Sequence, residues 1–584
     1  MKRRIITILA VLALLVTALA VAAQAATIPT DVDWIELSSK EDFLEWFSGT
    51  TKSKHLTDGY TAGMTRYYKL TEDITIDENS TVWYLSSGTY AVNVYFDLNG
   101  HTLTYASPNT PATRLFGSYN ANCMTTVVNG TITNRSALYD SNGGIFFMSV
   151  GSLTVEDVVF NDLDNSGNSS NRCGRMIYVT ANNTLTITDC TFNADAPTKA
   201  GYGLLVRSEC PATITNCTFT SKGTGTTGYG GFAYLGGSGV THTLTDCTFT
   251  GGSAAYGGAI YSVNSNLILE NCTFDGGHAV TEGGNILQKN GSITITNSTI
   301  KNGTSGSIGG NLSIANAAKL YFKSGSIENG SAVNGGNIAD SVGGASGPTL
   351  NIQGGTISGG TATTSGGNIY LAPNASYAGK PTLNIQSGTI TGGSAGKSGG
   401  NICLSGLSGK LVTMTMTGGT IGGEPAQGAD YSGSAVDGGN FFGTYATVTI
   451  SGGTVSHGYA SSLGGNLYPS AACTLNVTGG TVANGVTQTR GGNMYISSTN
   501  TVVNISGGTL KNGVAMSQGG NIYHGNGKLT VTGGVITGGT ASTDGGNIYS
   551  AMGYGDSATA SGRLTIQDDG DAATPPAPDH QRHC

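Results

Sequence analysis

The tripeptide Gly-Gly-Asn followed by an apolar residue occurs ten times, with its asparagine at Asn285, Asn311, Asn337, Asn368, Asn401, Asn440, Asn466, Asn493, Asn521 and Asn547. Gly257-Gly258-Ala259-Ile260 is a variant copy, and the commonest step between copies is 26 residues. A unit this short cannot hold a core of its own. Each copy must bury its apolar side against the next, so the chain is expected to build a solenoid.

A second motif accompanies each copy, as in Leu185-Thr-Ile-Thr-Asp-Cys-Thr-Phe192 and Leu350-Asn-Ile-Gln-Gly-Gly-Thr-Ile357. Apolar and polar residues alternate, a small or turn-forming pair interrupts them, and the alternation resumes. Period-two alternation marks half-buried strands, and the interruption marks a bend. The residues after each Gly-Gly-Asn make a third short strand. Three strands per coil of about 26 residues describe a parallel β-helix with Leu, Ile and Phe stacked inward. Leucine-rich repeats would show a different leucine frame, propeller blades need ~40–45 residues, and helical repeats would not tolerate this much Gly and Thr.

The motifs also act as a ruler. From the leading apolar residue to the next Gly-Gly-Asn asparagine is 17 or 18 residues in nine of ten coils. Before the final coil the return leg varies from 8 to 15 residues, so insertions project from one edge. They are longest after Asn337, Asn368 and Asn401, and the one break in the fixed leg adds Glu424 to Tyr431. Insertions on one face of a solenoid are candidate binding loops. Roughly sixteen coils at ~4.8 Å each give a rod about 75–80 Å long.

Ahead of the coils, Lys2-Arg3-Arg4, an apolar stretch Ile5 to Val21 and Ala23-Gln24-Ala25 read as a signal peptide over 1–25, cleaved between Ala25 and Ala26. A secreted or cell-surface location follows, with membrane contact only if that segment stays uncleaved. Residues 26–90 are expected to form a cap and first strands, with Ser38-Ser-Lys-Glu41 as a capping box opening a short amphipathic helix. Residues 91–566 carry the β-helix. The irregular tail 567–584, rich in Pro and His, points to a truncated or frame-shifted end. Cys190, Cys217, Cys247 and Cys272 recur at one place in successive coils. Stacked coils ~4.8 Å apart fit disulfide geometry poorly, so these are expected to be buried thiols. The Cys173–Cys210 pairing stays open.

The pattern resembles the right-handed parallel β-helix superfamily typified by pectate lyases. Asp97-Leu-Asn-Gly-His-Thr-Leu103 looks like the opening coils of secreted members, and Gly257-Gly-Ala-Ile260 with Asn271-Cys-Thr-Phe-Asp275 is similar to the repeats of polymorphic outer-membrane adhesins. The resemblance covers about 90–566. It implies the fold, and it leaves activity open because this fold hosts lyases, hydrolases and adhesins.

Candidate chemistry is sparse. The ten motif asparagines are read as an internal hydrogen-bonded ladder. The column Asp157, Asp189, Asn216, Asp246, Asn271 and Asn297 is read as turn capping. Tyr370, Tyr468, Tyr495, Tyr523 and Tyr549 follow the motif and should point outward, where an aromatic stripe would hold sugar rings. No paired carboxylates suited to glycoside cleavage, no metal-ligand spacing among the eight histidines and no cofactor motif stand out. The net charge of −8 has no basic block, which argues against nucleic acid. The expectation is a non-catalytic, adhesin-like rod for polysaccharide or host-surface glycans, with a polysaccharide lyase or glycoside hydrolase as the alternative.

Overall fold

A computed structural model describes residues 27–551 and 564–567, apart from 49–51, 79–82, 108–113, 137–143, 164–175, 181, 195–204, 222–225, 342 and 426–429. The cleavage site at Ala25 and Ala26, Cys173 and the tail after Gln567 lie outside the described residues. The fold is an all-β parallel solenoid of about 16 turns and about 28 residues per turn. The average exceeds the 26-residue step of the motif because inserted loops lengthen several coils.

Every coil feeds three sheets. The first holds the Leu-x-Ile strands, such as Leu185–Thr188, Asn266–Glu270 and Thr382–Ile385. The second holds Thr191–Ala194, Thr273–Asp275 and their equivalents, and the third holds Ile260–Val263, Ile286–Lys289 and the strands stacked on them. In the early coils Phe116–Asn134 and Phe146–Asp162 run unbroken through all three. Pairing is parallel and in register, so each inward side chain meets its counterpart in the next coil. One such row runs Ile187, Ile214, Leu244, Leu269, Ile295, Phe322.

The three-strand coil of the sequence reading gains a fourth member. From Ser253–Tyr256 to Thr540–Ala541, eleven short strands form a separate parallel sheet between the second sheet and the Gly-Gly-Asn motif. Its inward row is mostly alanine (Ala279, Ala332, Ala362, Ala395, Ala435, Ala460). Strands of two to six residues built on Ala and Ser carry too little alternation to be read from sequence.

The second-sheet core contains Phe160, Phe192, Phe219, Phe249 and Phe274, stacked at 4.5–4.7 Å and within 7° of parallel. Each is buried, worth roughly 1.5–3 kcal/mol relative to exposure. The bend between first and second sheets puts Asp157, Asp189, Asn216, Asp246, Asn271 and Asn297 at φ 48–54°, a left-handed region that Asn and Asp tolerate. From Asp189 to Asn271 carboxylates alternate with amides: Asn216 donates to Asp189, and Asn271 Nδ2 donates to Asp246 Oδ1 at 3.0 Å. Beside this bend Cys190, Cys217, Cys247 and Cys272 are free and buried. The Cys247 and Cys272 thiols donate to the Ile214 and Leu244 carbonyls of the preceding coil at 3.4 and 3.3 Å.

The N-terminal helix spans Lys40–Phe47 and is capped one residue later than the sequence suggested. Ser39 Oγ accepts from the Asp42 amide at 3.1 Å, while Asp42 Oδ2 accepts from the Ser38 amide and hydroxyl. Aspartate thus takes the reciprocal place expected for Glu41. Phe43 and Phe47 pack on Trp83, Phe96 and Phe116, closing the open end of the core.

Candidate functional site

The Gly-Gly-Asn motif is a sharp corner between the fourth and third sheets, and each residue has a distinct physical reason. The first glycine takes positive φ, +67° at Gly283 and Gly366, and an added Cβ at Gly366 would lie 3.0 Å from the Tyr370 Cβ. The second has no room for a side chain, since a Cβ on Gly284 would stand 1.9 Å from the Gly310 carbonyl of the next coil. Identical corners therefore nest only when this position is glycine.

The asparagine points into the coil. Asn285 Nδ2 donates to Asn311 Oδ1 at 2.8 Å, and nine such bonds of 2.6–2.8 Å link all ten asparagines from Asn285 to Asn547. Each of the first nine amides also donates to a backbone carbonyl, as Asn337 does to Ser358. In nine of the ten, the oxygen accepts from the glycine amide opening the fourth strand, as in Gly277 to Asn285. The ladder ties each corner to the start of its own fourth strand and to the end of the second-sheet strand in the next coil.

A corner this tight is concave outside. The residue just before each Gly-Gly faces the second residue after the Asn of the next coil. Tyr229 meets Tyr261 with ring centroids 4.8 Å apart, and the Arg490 guanidinium lies over the Tyr523 ring at 5.0 Å. The result is a groove along the rod. Its floor is the outer row of the third sheet, and its wall includes Tyr229, Tyr256, Glu282, Asp437, Leu463 and Arg490.

The sequence-selected tyrosines all lie on that floor. Phe442, Tyr468, Tyr495, Tyr523 and Tyr549 occupy consecutive coils. Tyr495, Tyr523 and Tyr549 stack on one another at 5.0 and 5.3 Å within 17°, covering each other's faces and leaving Tyr495 8% and Tyr523 6% exposed. They present edges and phenol groups to the groove rather than the open stripe expected. Tyr468 is turned 87° from both Phe442 and Tyr495, so its ring plane lies along the rod. Tyr370 stands apart, between Ala339 and Cys403.

The loops after Asn337, Asn368 and Asn401 border the third sheet at the edge away from the corner. They fasten to one another: the Gly379 amide donates to the Gly344 carbonyl at 3.1 Å, and Lys410 Nζ donates to the Asn374 and Ala375 carbonyls at 3.1 and 2.6 Å. In the inserted Glu424–Tyr431 segment, residues 426–429 lie outside the described residues, and Tyr431 stacks on Tyr459 at 4.5 Å.

The opposite wall was missed in the sequence. Its residues share only a place, immediately before Gly-Gly, and no common chemistry. Among them Glu282 accepts from Ser341 Oγ at 3.1 Å, two coils on. Burial raises its carboxyl above the usual range, while the Ser341 bond and Lys289 oppose the shift. Asp340 lies inward of Ser341, fully buried, with Oδ1 accepting from the Ala372 amide at 2.7 Å and Oδ2 without a hydrogen-bond partner. Burial holds that carboxyl well above its ordinary value. Among the described residues no three His, Cys, Asp or Glu side chains gather as a metal-binding group.

A family model described as the right handed beta helix region matches residues 71–241 and 175–375, together just over half of the chain. No curated protein and no solved structure matches.

Proposed function

The chain belongs to the right-handed β-helix family, and from that premise we propose that it is a secreted or surface-displayed, adhesin-like rod that binds glycans in its corner groove without catalysis. The observation carrying this reading is the groove itself, which runs parallel to the rod and is floored over five consecutive coils by Phe442, Tyr468, Tyr495, Tyr523 and Tyr549. Tyrosine offers an apolar ring and a hydroxyl together, the combination a sugar requires. The export-type segment at residues 1–25 supports placement outside the cytoplasm. A glycan array probed with the full chain, run beside a reducing-sugar release assay, tests the reading. Retention of a polysaccharide without new reducing ends is expected, with Tyr468→Ala weakening retention about tenfold. Failure to retain any glycan, or release of reducing ends, overturns it.

One observation favours an enzymatic second reading. Glycoside cleavage needs a carboxyl kept protonated as general acid, and Glu282, on the groove wall, has its carboxyl raised by burial. Sugar release that disappears in Glu282→Gln would decide for a hydrolase or lyase.

A further inference from the structure

We infer a second saccharide site in the same groove, formed by Tyr229, Tyr234, Tyr256 and Tyr261, which acts together with the Phe442–Tyr549 tract on a single long, linear polysaccharide. This rests on the glycan reading above and adds to it the ligand's shape and length.

Four rings from both sides of the corner pack into one partly exposed aromatic cluster. Tyr229 and Tyr256 stack at 5.4 Å and 19° on the wall, and Tyr234 and Tyr261 stack at 5.4 Å and 29° on the floor. The pairs meet at Tyr229 and Tyr261, 4.8 Å apart and inclined 52°. Tyr261 is buried at the base, while Tyr229, Tyr234 and Tyr256 are half-buried around it. Burial raises the Tyr261 phenol, and the phenols of Tyr234 and Tyr229, then the Glu282 carboxylate and Tyr256, push it further. A partly exposed aromatic cluster that carries phenol groups suits a sugar better than an aliphatic segment.

Both ends of the cluster are bounded. Arg207 lies between Tyr178 and Tyr234, 4.5 and 5.0 Å from their rings, and donates to Glu209, which neutralises it. At the other end Glu282 bonds Ser341, and the outward residues beyond it, Ser313 and Ala339, are fully buried.

The two aromatic tracts are therefore separate. From Tyr261 the floor passes through Leu287, Ser313, Ala339, Tyr370 and Cys403 before reaching Phe442. Six coil steps at ~4.8 Å place the tracts about 29 Å apart along the rod. A short oligosaccharide meets one tract. A straight chain longer than the gap meets both, and the second contact forms at millimolar effective concentration, raising avidity by ~10²–10⁴.

Titration calorimetry on the full chain tests this with β-1,4-xylan, β-1,4-glucan and β-1,4-galactan. Each is used as fragments shorter than the gap and as polymers longer than twice it. Two fragments per rod are expected, with polymer binding at least about 100-fold tighter than fragment binding. Tyr256→Ala removes that gain and leaves one fragment site, and Tyr468→Ala leaves the other. Tyr256→Phe, which keeps the ring, retains most of the gain and guards against a folding artefact. One fragment per rod with polymer affinity untouched by Tyr256→Ala overturns the second site and leaves the glycan reading standing. Absence of binding by every fragment and polymer overturns both.

Discussion

Replacing Asn401 by alanine removes a side chain that is fully buried and bonded in four directions. Its amide donates to Asn440 Oδ1 at 2.6 Å and to the Ser432 carbonyl at 2.8 Å. Its oxygen accepts from Asn368 Nδ2 at 2.6 Å and from the Gly393 amide at 3.0 Å. Two partners have substitutes: the Ser432 carbonyl still accepts from the Gly392 amide, and Asn368 Nδ2 still donates to the Thr391 carbonyl. The Gly393 N–H and Asn440 Oδ1 lose their bonds inside the buried corner. At about 1–3 kcal/mol per orphaned group, with a smaller loss from the other two bonds, the cost is about 3–6 kcal/mol. Solenoid coils open locally, so this cost should appear near the substitution. Hydrogen exchange read by mass spectrometry should show protection falling by about two to four decades in peptides covering 393–440, and no change around 187–219. Asn547, exposed at its corner, can replace its bonds with water, so Asn547→Ala should cost about 1 kcal/mol or less. Equal and small effects at both positions would refute the ladder as a source of corner rigidity.

Three further outcomes follow from the same geometry. Gly284→Ala should disrupt its coil, because the new Cβ meets only backbone atoms at 1.9–2.6 Å; Gly276→Ala, with φ +77° and open space, should cost about 1 kcal/mol in urea unfolding. Asp340→Asn should raise the melting temperature at pH 8. The folded state holds the Asp340 proton more tightly than the unfolded chain, so ionisation costs stability above the ordinary value of ~3.9; the gain should fade as pH falls toward 4, and a gain independent of pH would contradict the assignment. The free thiols Cys247, Cys272, Cys403 and Cys473 should resist a thiol reagent until the rod unfolds, since all are buried with their thiols raised, Cys403 and Cys473 chiefly by desolvation; rapid labelling of the native chain would show the coils to be open.

The coil was legible because its constraints are local and periodic. Alternation in segments such as Leu529-Thr-Val-Thr reflects one buried and one open face, and Gly284 and Asn285 recur because nested corners admit little else. The groove was only half legible. Tyr468 and Tyr523 form a column of like residues, whereas the facing wall mixes Tyr229, Glu282, Leu463 and Arg490, and only the folded corner gives them a common role. The fourth sheet escaped because Val514–Ala515 and Thr540–Ala541 are two-residue strands held by their neighbours rather than by their own pattern. The helix cap was displaced by one residue because Ser38 and Ser39 are equivalent in sequence, and the hydrogen bonds choose Ser39.

The most direct test of the groove as the ligand site is hydroxyl-radical footprinting of the full chain saturated with a glycan that it retains. Protection is expected to be confined to the corner, at Tyr229, Tyr234, Tyr256, Tyr468 and Tyr549, with the loop residue Tyr377, Tyr431 of the inserted segment and Tyr459 of the fourth sheet still oxidised. Protection of Tyr377, Tyr431 or Tyr459 with the groove tyrosines still reactive would contradict it.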